Sequence, residues 1–368
     1  MVRCLVIGDP HFKVTEMIAS QEMAKAILDI ARKENPDFIV CLGDTLDRHE
    51  TIHTNPLTVA TQWLAELSSI AKVYLLIGNH DRPNNSDFLS DEHSLVALKW
   101  WDSNRLVVVD KVVIALIDDL PFFFVPYVPP GRFIEALETH PDWSPKGYHR
   151  QSKITGIQST PWQAGFSHQE FYGNQLKTSI FSEKGDKWPL DYPLLINGHI
   201  HDRDIPQENI ISIGTPRQHN FDESFDKALS LFTFDDTGFN ERRIPLPLPK
   251  KIIQHLSVQD FLIWEPPSPL IDYLKLEVHG TRGEVVALRK LDKIKKLEKL
   301  GIKIVTRDID AGKKKEKNLP LPELQWQQTP FRQRLALRAK EDPQVEKIYR
   351  RIFPQQKRIT IIKKKVTT

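Results

Sequence analysis

Short apolar runs alternate with stretches of helical spacing in the segment 1–80 of the chain. Apolar runs at 2–8, 37–43 and 73–78 predict buried strands. Between them, apolar positions three and four residues apart at 18–33 and 56–69 predict helices. This order is β-α-β-α-β, which is typical of a parallel sheet. Because ligands gather beyond the carboxyl ends of such strands, we expect the polar residues that follow each run to meet at one edge.

The pattern becomes β-rich after residue 100. Runs at 106–109, 112–117 and 122–125, with turn residues between them, predict a second sheet that faces the first. Further strands are predicted at 164–167, 193–197, 210–213 and 228–234. The fold class that we predict is therefore α/β, a two-sheet α/β sandwich.

Prolines indicate a domain boundary near residue 250, because prolines at 245–249 and 266–269 bracket a stretch expected to be stiff and extended. Beyond it, strands at 273–278 and 302–305 and a basic helix at 284–300 are predicted to form a small β-α-β appendage. The predicted division is a catalytic domain at 1–245, a Pro-rich connection at 246–269, a small α+β domain at 270–312, and a basic linker and helical tail at 313–368, with the helix at 329–353.

Charge divides the chain into an acidic body and a basic tail. Residues 313–368 hold 16 Lys or Arg against 5 Asp or Glu, a net charge of +11, whereas residues 1–312 hold 35 against 43, a net charge of −8. A body rich in carboxylates suits divalent cations, and a basic tail suits nucleic acid, an acidic partner surface or simple solubility. The sequence has no long apolar span, no secretory signal pattern and only two cysteines. We therefore expect an intracellular protein with no membrane partner.

The polar clusters behind the apolar runs carry the donor types of a two-metal site. Two cations held close together need a bridging carboxylate, neutral imidazoles and further oxygen donors. The Asp-x-His motif at 9–11 and the His-x-His motif at 199–201 each place two side chains on one side of an extended strand end, because side chains alternate along a strand. Asp44 can bridge two cations, and Asn79 offers an amide oxygen.

The other histidines differ in their context. His80 follows Asn79 but points elsewhere from the same turn, and an imidazole beside a carboxylate such as Asp81 is suited to donate a proton to a leaving alkoxide. His168 and His149 are alternatives for a lone imidazole ligand, and the apolar run and turn before His168 favour it. We expect surface or structural roles for the remaining histidines, of which His49 and His219 are expected near the cleft. The other five are His53, His93, His140, His255 and His279.

Together these motifs look like the signature of the calcineurin-like metallophosphoesterase superfamily over roughly residues 1–235: Gly8-Asp9-x-His11, Gly43-Asp44-x-x-Asp47-Arg48, Gly78-Asn79-His80-Asp81, His168 and Gly198-His199-x-His201. The resemblance implies that one cation is held by Asp9, His11 and His201. It implies that a second is held by Asn79, His168 and His199. Asp44 would bridge the two, and His80 would protonate the leaving group. Mn is the metal that the resemblance favours, with Fe, Zn and Mg as alternatives.

Finer features are similar to those of SbcD-type nucleases, the nuclease subunits of double-strand-break repair complexes. Gly-Asn-His-Asp at 78–81 differs from the Gly-Asn-His-Glu of serine/threonine phosphatases, and the segments at 214–217 and 220–223 resemble SbcD segments. This resemblance implies an Mn-dependent DNA exonuclease or endonuclease in DNA repair or recombination, cytoplasmic or nucleoid-associated. It would act with an SbcC-like coiled-coil ATPase, and residues 270–312 would form a capping domain. A homodimer is also compatible with this resemblance. Arg48 and Arg217 are then candidates for substrate binding.

Two alternatives to the nuclease remain open. The chain could be a stand-alone metallophosphodiesterase or phosphatase that acts on a nucleotide or another small molecule. It could also be a DNA-binding scaffold without activity, although the presence of all seven ligand types disfavours that hypothesis. Asp47 stands where some SbcD-type nucleases have a histidine, so the balance between exonuclease and endonuclease action stays open.

Overall fold

A computed structural model describes residues 1–49, 51–152, 156–177 and 180–309. The predicted basic tail at 313–368, including the helix predicted at 329–353, lies outside the described residues. No helix within the described ranges combines the length and the apolar character needed to cross a membrane.

The elements follow one another in this order. The first part of the chain contains β1 (Val2–Ile7), α1 (Met17–Glu34), β2 (Phe38–Cys41), α2 (Thr54–Ile70), β3 (Lys72–Leu76), β4 (Leu106–Val109), β5 (Val113–Ile117), β6 (Leu120–Val125) and α3 (Phe133–Glu138). The middle part contains β7 (Tyr148–Ser152), β8 (Gly156–Thr160), β9 (Ala164–Ser167), β10 (Gln175–Lys177), β11 (Ile180–Phe181), β12 (Leu195–Asn197), β13 (Asp204–Gln207), β14 (Ile210–Ser212), β15 (Leu229–Asp235) and β16 (Gly238–Ile244). The last described part contains β17 (Lys251–Ser257), α4 (Val258–Ile263), β18 (Tyr273–Gly280), α5 (Arg282–Leu288), α6 (Asp292–Lys299) and β19 (Lys303–Asp308).

The first sheet has the strand order β16-β15-β1-β2-β3-β4. Strands β1 to β4 are parallel, as the alternating pattern of the segment 1–80 predicts for the first three, and β15 joins β1 antiparallel. The run at 106–109, predicted for the second sheet, is instead β4 and extends the first sheet beside β3. Its apolar composition suits either sheet, and in the fold it pairs with residues 73–76 of β3.

The second sheet has the order β13-β14-β12-β9-β6-β5 and faces the first across a shared core. Alternation along β1 explains how the first sheet is covered on both sides: Val6 packs between the sheets, whereas Leu5 packs under α1 and α2. Phe122 and Phe166 come from the second sheet to fill the same inter-sheet core as Val6. The predicted two-sheet α/β sandwich is therefore confirmed.

The chain divides into two compact units. The first comprises residues 1–253 and 267–275, and the second comprises 254–266 and, among the described residues, 276–309. The sheet β17-β18-β19 lies largely in the second unit. The stretch predicted as an extended Pro-rich connection, 246–269, instead carries β17 and α4 between its prolines.

The single basic helix predicted at 284–300 is wrong, because the structure has the two shorter helices α5 and α6. Val285 and Leu288 are the buried residues of α5, and Ile294 and Leu297 are those of α6. A continuous helix would turn Asp292 and the lysines near 295 inward in their place, since buried positions recur every three or four residues. The break at 289–291 restores the correct apolar face.

Candidate metal centre

Loops that follow five parallel strands meet at one edge of the sandwich. They follow β1, β2 and β3 in the first sheet and β9 and β12 in the second. Three of the residues that they carry, His11, Asp44 and His199, have left-handed backbone with φ of 43°, 48° and 70°. This conformation is costly for residues other than glycine and persists where the surroundings enforce it, as in functional sites. One such restraint is the backbone hydrogen bond from His11 N to the carbonyl of Asp44, 3.0 Å long.

The glycines before the polar motifs leave room for the ligands. A Cβ at Gly198 would lie 2.7 Å from Asp9 Oδ1, and a Cβ at Gly43 would lie 2.6 Å from His168 Nδ1. Neither distance is compatible with a side chain. The glycines in the Gly-Asp and Gly-His motifs therefore do more than end a strand. They are required because a side chain at these positions would clash with the ligand residues.

One half of the centre consists of Asp9, His11 and His201, whose ligand atoms lie within 4.8 Å of one another. His11 Nε2 and His201 Nε2 are 3.1 Å apart. Both carboxylate oxygens of Asp9 are buried and have no hydrogen-bond partner among the described residues. Buried carboxylate oxygens are rarely left in this state, and a bound cation would satisfy them.

The other half consists of Asp44, His168 and His199, again within 4.8 Å, together with Asn79. Asn79 Oδ1 lies 3.0 Å from His199 Nδ1 and 3.1 Å from His168 Nε2. His168 Nδ1 donates a hydrogen bond to the carbonyl of Leu42 at 2.8 Å. That bond fixes the ring so that Nε2 faces the other ligands, which is the usual arrangement of a metal-binding histidine.

Asp44 lies between the two halves. Its Oδ2 is 3.4 Å from His168 Nε2 and 3.7 Å from His11 Nε2, so one carboxylate can serve both groups. The structure thus brings together the seven residues predicted as ligands. His149, the alternative to His168, lies on β7, and its side chain is outside the described part of the structure.

The protonation preferences in this cluster conflict with one another. Burial raises the pKa of Asp9 to about 6. Burial alone would lower the pKa of His168, but the carboxylates of Asp44 and Asp9 outweigh it and raise the pKa to about 9. Burial, followed by the neighbouring His168, lowers the pKa of His199 to about 3. Bound cations would remove this conflict by favouring ionised Asp9 and neutral His168 and His199, because metals bind carboxylates and neutral imidazoles. The donor set therefore fits two divalent cations of the Mn, Fe or Zn type.

His80 lies at the mouth of the centre. Its Nδ1 donates a hydrogen bond to the carbonyl of Asp47 at 2.9 Å, and its Nε2 lies 4.0 Å from Asp44 Oδ2. The side chain is 32% exposed, so Nε2 can meet a substrate. The ring also stacks on His49 with a centroid distance of 4.5 Å. His80 therefore has a fixed orientation and an accessible second nitrogen.

Asp81 is predicted from the sequence as the catalytic partner of His80, and the structure gives it another task. Its buried carboxylate accepts hydrogen bonds from the backbone N–H groups of Thr45, Leu46 and Gly78. These contacts join the loop after β2 to the loop after β3. Since the carbonyl of Asp47 holds His80 instead, we assign Asp81 to positioning.

The two predicted substrate-binding arginines differ. Arg48 is exposed and lines a small cleft together with Lys13 and Asp47. Arg217 is buried, and its guanidinium lies 2.6 Å from the Glu16 carboxylate. The charge of Arg217 is thus directed to an internal ion pair, and its role in substrate binding stays a prediction.

Two residues outside the predicted set of site residues support the ligands. His219 is buried against the rings of His11 and His201 and donates from Nε2 to the carbonyl of Asp9 at 3.1 Å. Glu223 accepts a hydrogen bond from His201 Nδ1 at 3.1 Å, which leaves Nε2 for the centre. In the sequence, only the resemblance of the segment 220–223 to SbcD-type nucleases points to Glu223, and no periodic pattern indicates His219.

Replacing Glu223 with glutamine is expected to weaken metal binding about 10- to 100-fold, the usual cost of losing a partner of a ligand histidine. Burial would raise the pKa of Glu223, but the hydrogen bond from His201 and the charge of Lys227 hold it at about 2, so the carboxylate is ionised. A neutral amide would orient His201 less firmly. Calorimetric titration with Mn²⁺ measures the loss, with the exposed Glu66→Gln as control. Parent-like affinity in Glu223→Gln would contradict this role.

Several known proteins resemble this chain over most of its length. The family model described as "Calcineurin-like phosphoesterase" matches residues 2–203. The chain is 37% identical over 259 residues to "Putative phosphoesterase 078R" of Invertebrate iridescent virus 3, covering 70% of each chain. It is 36% identical over 299 residues to "Putative phosphoesterase 244L" of Invertebrate iridescent virus 6, covering 78% of this chain and 97% of the relative. Among solved structures, "GAP50 the anchor in the inner membrane complex of Plasmodium" matches with a TM-score of 0.39 and 12% identity, over 68% of this chain and 90% of that one.

Proposed function

Because this chain belongs to the calcineurin-like phosphoesterase family and is a metal-dependent phosphoesterase, we propose that it hydrolyses phosphodiester bonds in DNA. We propose Mn²⁺ as its metal and an intracellular role in DNA repair or recombination. The observation that carries the hydrolytic part is the pair of ligand groups that share Asp44, with His80 directed toward them at the mouth of the centre.

The residues of this chain divide the work of hydrolysis. Bound at the two ligand groups, divalent cations supply Lewis acidity to the phosphate and lower the pKa of water. Asp44 holds the two groups at a short separation, and His219 and Glu223 keep the ligands in place. In its doubly protonated form, the imidazole of His80 donates a proton from Nε2 to the departing oxygen, since its Nδ1–H stays bound to the carbonyl of Asp47.

The choice of DNA rests on three sequence features. Gly-Asn-His-Asp at 78–81 differs from the Gly-Asn-His-Glu of serine/threonine phosphatases, and the segments at 214–217 and 220–223 are similar to those of SbcD-type nucleases. In the structure, the second of these segments supplies Glu223, which contacts the ligand His201. The net charge of +11 in residues 313–368 suits a polyanion. We extend the proposal to an SbcC-like ATPase partner and a homodimer, for which the same resemblance is the support.

A nuclease assay with Mn²⁺ tests the substrate. The parent protein is expected to degrade linear duplex, hairpin or single-stranded DNA and to cleave a small chromogenic diester. A chain truncated after residue 309 should keep the activity on the chromogenic diester and lose affinity for DNA, since the basic tail is removed. Intact DNA alongside a cleaved chromogenic diester would contradict the choice of DNA and leave the phosphoesterase activity standing.

A cavity beside the centre supports a second candidate function. It has a volume of about 800 Å³ and is lined by His199 and His201, by acidic residues including Asp202 and Asp222, and by the exposed ring of Phe225. This volume lies in the range of small-molecule sites, and acidic walls do not favour a long polyanion. A stand-alone phosphodiesterase or phosphatase for a nucleotide or another small molecule is therefore the alternative, and faster turnover of such a compound than of DNA would favour it.

A further inference from the structure

The second compact unit contains another group of metal-ligand side chains, His255, Glu277 and His279. Their ligand atoms lie within 4.8 Å of one another, as they do in each half of the metal centre. Sequence alone predicts surface or structural roles for His255 and His279, which are far apart along the chain. The group becomes visible only once the strands are paired.

Two strands of one sheet bring these side chains together. Glu277 and His279 are two residues apart on β18, so they project from the same face of the sheet. His255 lies on β17, which is the neighbour of β18. The acid-x-His spacing on β18 is the same as that of Asp9 and His11 in the metal centre.

The spacing of the ligand atoms suits a single small cation. His255 Nδ1 lies 3.4 Å from His279 Nε2 and 3.8 Å from Glu277 Oε2. Two nitrogens bound tetrahedrally to zinc at about 2.0–2.1 Å would be about 3.4 Å apart. The corresponding distance between His168 and His199 in the metal centre is 3.3 Å.

The surroundings hold the carboxylate and leave the site accessible. The Glu277 side chain is 11% exposed, and its Oε1 lies 3.5 Å from a guanidinium nitrogen of Arg307. The other oxygen, Oε2, is the one that faces His255. Anchoring of one oxygen of a ligand carboxylate in this way is common around metal sites. The His255 side chain is 65% exposed, so an ion can enter from solvent and keep water in its remaining positions.

We propose that His255, Glu277 and His279 form an additional site for a borderline divalent cation, for which Zn²⁺ is the probe. Two imidazoles and one carboxylate select ions of this type, whereas Mg²⁺ and Ca²⁺ prefer sites made of oxygen ligands. A bound ion cross-links β17 to β18 within the second unit. Its contribution is to stability, since metal binding that requires the folded strands favours the folded state.

Zinc content of the full-length chain tests this site. Parent protein and the double variant His255→Ala/His279→Ala are stripped with chelator, dialysed against Zn²⁺, and assayed for zinc per chain by elemental analysis. The variant is expected to retain one ion fewer than the parent. The test compares the zinc content of the two proteins, so its result does not depend on how many ions the metal centre retains.

Matched variants keep the result interpretable. His53→Ala/His140→Ala also removes two histidines and should retain the parent zinc content. The single variant His255→Ala removes the exposed ligand only and should lower zinc affinity by more than about tenfold while the fold persists, as followed by circular dichroism. Phosphoesterase activity of the double variant should equal that of the parent, which separates this site from the proposed function. Equal zinc in the parent and the double variant, or equal loss in the control, would overturn the proposal.

Discussion

Replacing Asp44 with asparagine is expected to abolish phosphoester hydrolysis, with a rate loss of at least about a thousandfold, equivalent to about 4 kcal/mol of activation free energy. The asparagine would keep the volume of the side chain but lose the negative charge that faces both His11 and His168. A neutral amide cannot compensate two closely spaced dications, so at least one of them should be lost. Hydrolysis of a chromogenic diester with Mn²⁺ and metal content per chain measure the two effects together.

The control for this change is Asp29→Asn, which removes a carboxylate from an exposed position on α1. It should retain parent activity and metal content. A circular dichroism spectrum like that of the parent would show that Asp44→Asn leaves the fold intact. Near-parent turnover in Asp44→Asn, with both ions bound, would exclude a bridging role for this carboxylate.

Replacing His80 with alanine is expected to lower turnover about 10²- to 10⁴-fold on DNA or another substrate with an alkoxide leaving group, while metal content stays that of the parent. Its ring contributes no atom to the two ligand groups, and Nδ1 is held by a backbone carbonyl. Loss of the ring therefore removes the proton donor and spares the metals. Steady-state kinetics on both substrate types, together with metal analysis, measure this separation.

The leaving group provides an internal control for His80. A nitrophenolate departs without a proton, so His80→Ala should lose much less activity on a nitrophenyl ester than on a substrate with an alkoxide leaving group. His53→Ala, which removes an exposed histidine, should behave as the parent on both. Equal losses on the two substrates would argue against proton donation and point to a binding or structural role for His80.

Local sequence determined the parts of the fold that depend on short-range periodicity. Fully apolar runs and helical spacing specify the β-α-β-α-β pattern, since buried parallel strands and amphipathic helices differ in period. Short-range patterns also made the candidate ligands recognisable. A strand end followed by a polar cluster, as at Asp9, Asp44 and Asn79, directs side chains to one edge of a parallel sheet whatever the rest of the chain does.

Tertiary structure decided which distant groups become partners. Asp81 is adjacent to His80 in sequence, yet its carboxylate binds the backbone of the loop after β2, because that loop comes within hydrogen-bond distance once the strands align. Arg217 forms an ion pair with Glu16, a residue 201 positions earlier in the sequence. No local sequence pattern indicates that pairing.

The position of single elements also required the complete fold. The run at 106–109 fits either sheet by composition, and only its alignment with β3 places it in the first. Likewise, β17 and β18 are separate in sequence, so His255 meets Glu277 and His279 only when the sheet forms. Sequence thus determined the local elements and the candidate ligands of this phosphoesterase. Long-range packing decided sheet membership, ion pairs and the positioning residues, because those depend on contacts between residues far apart in the chain.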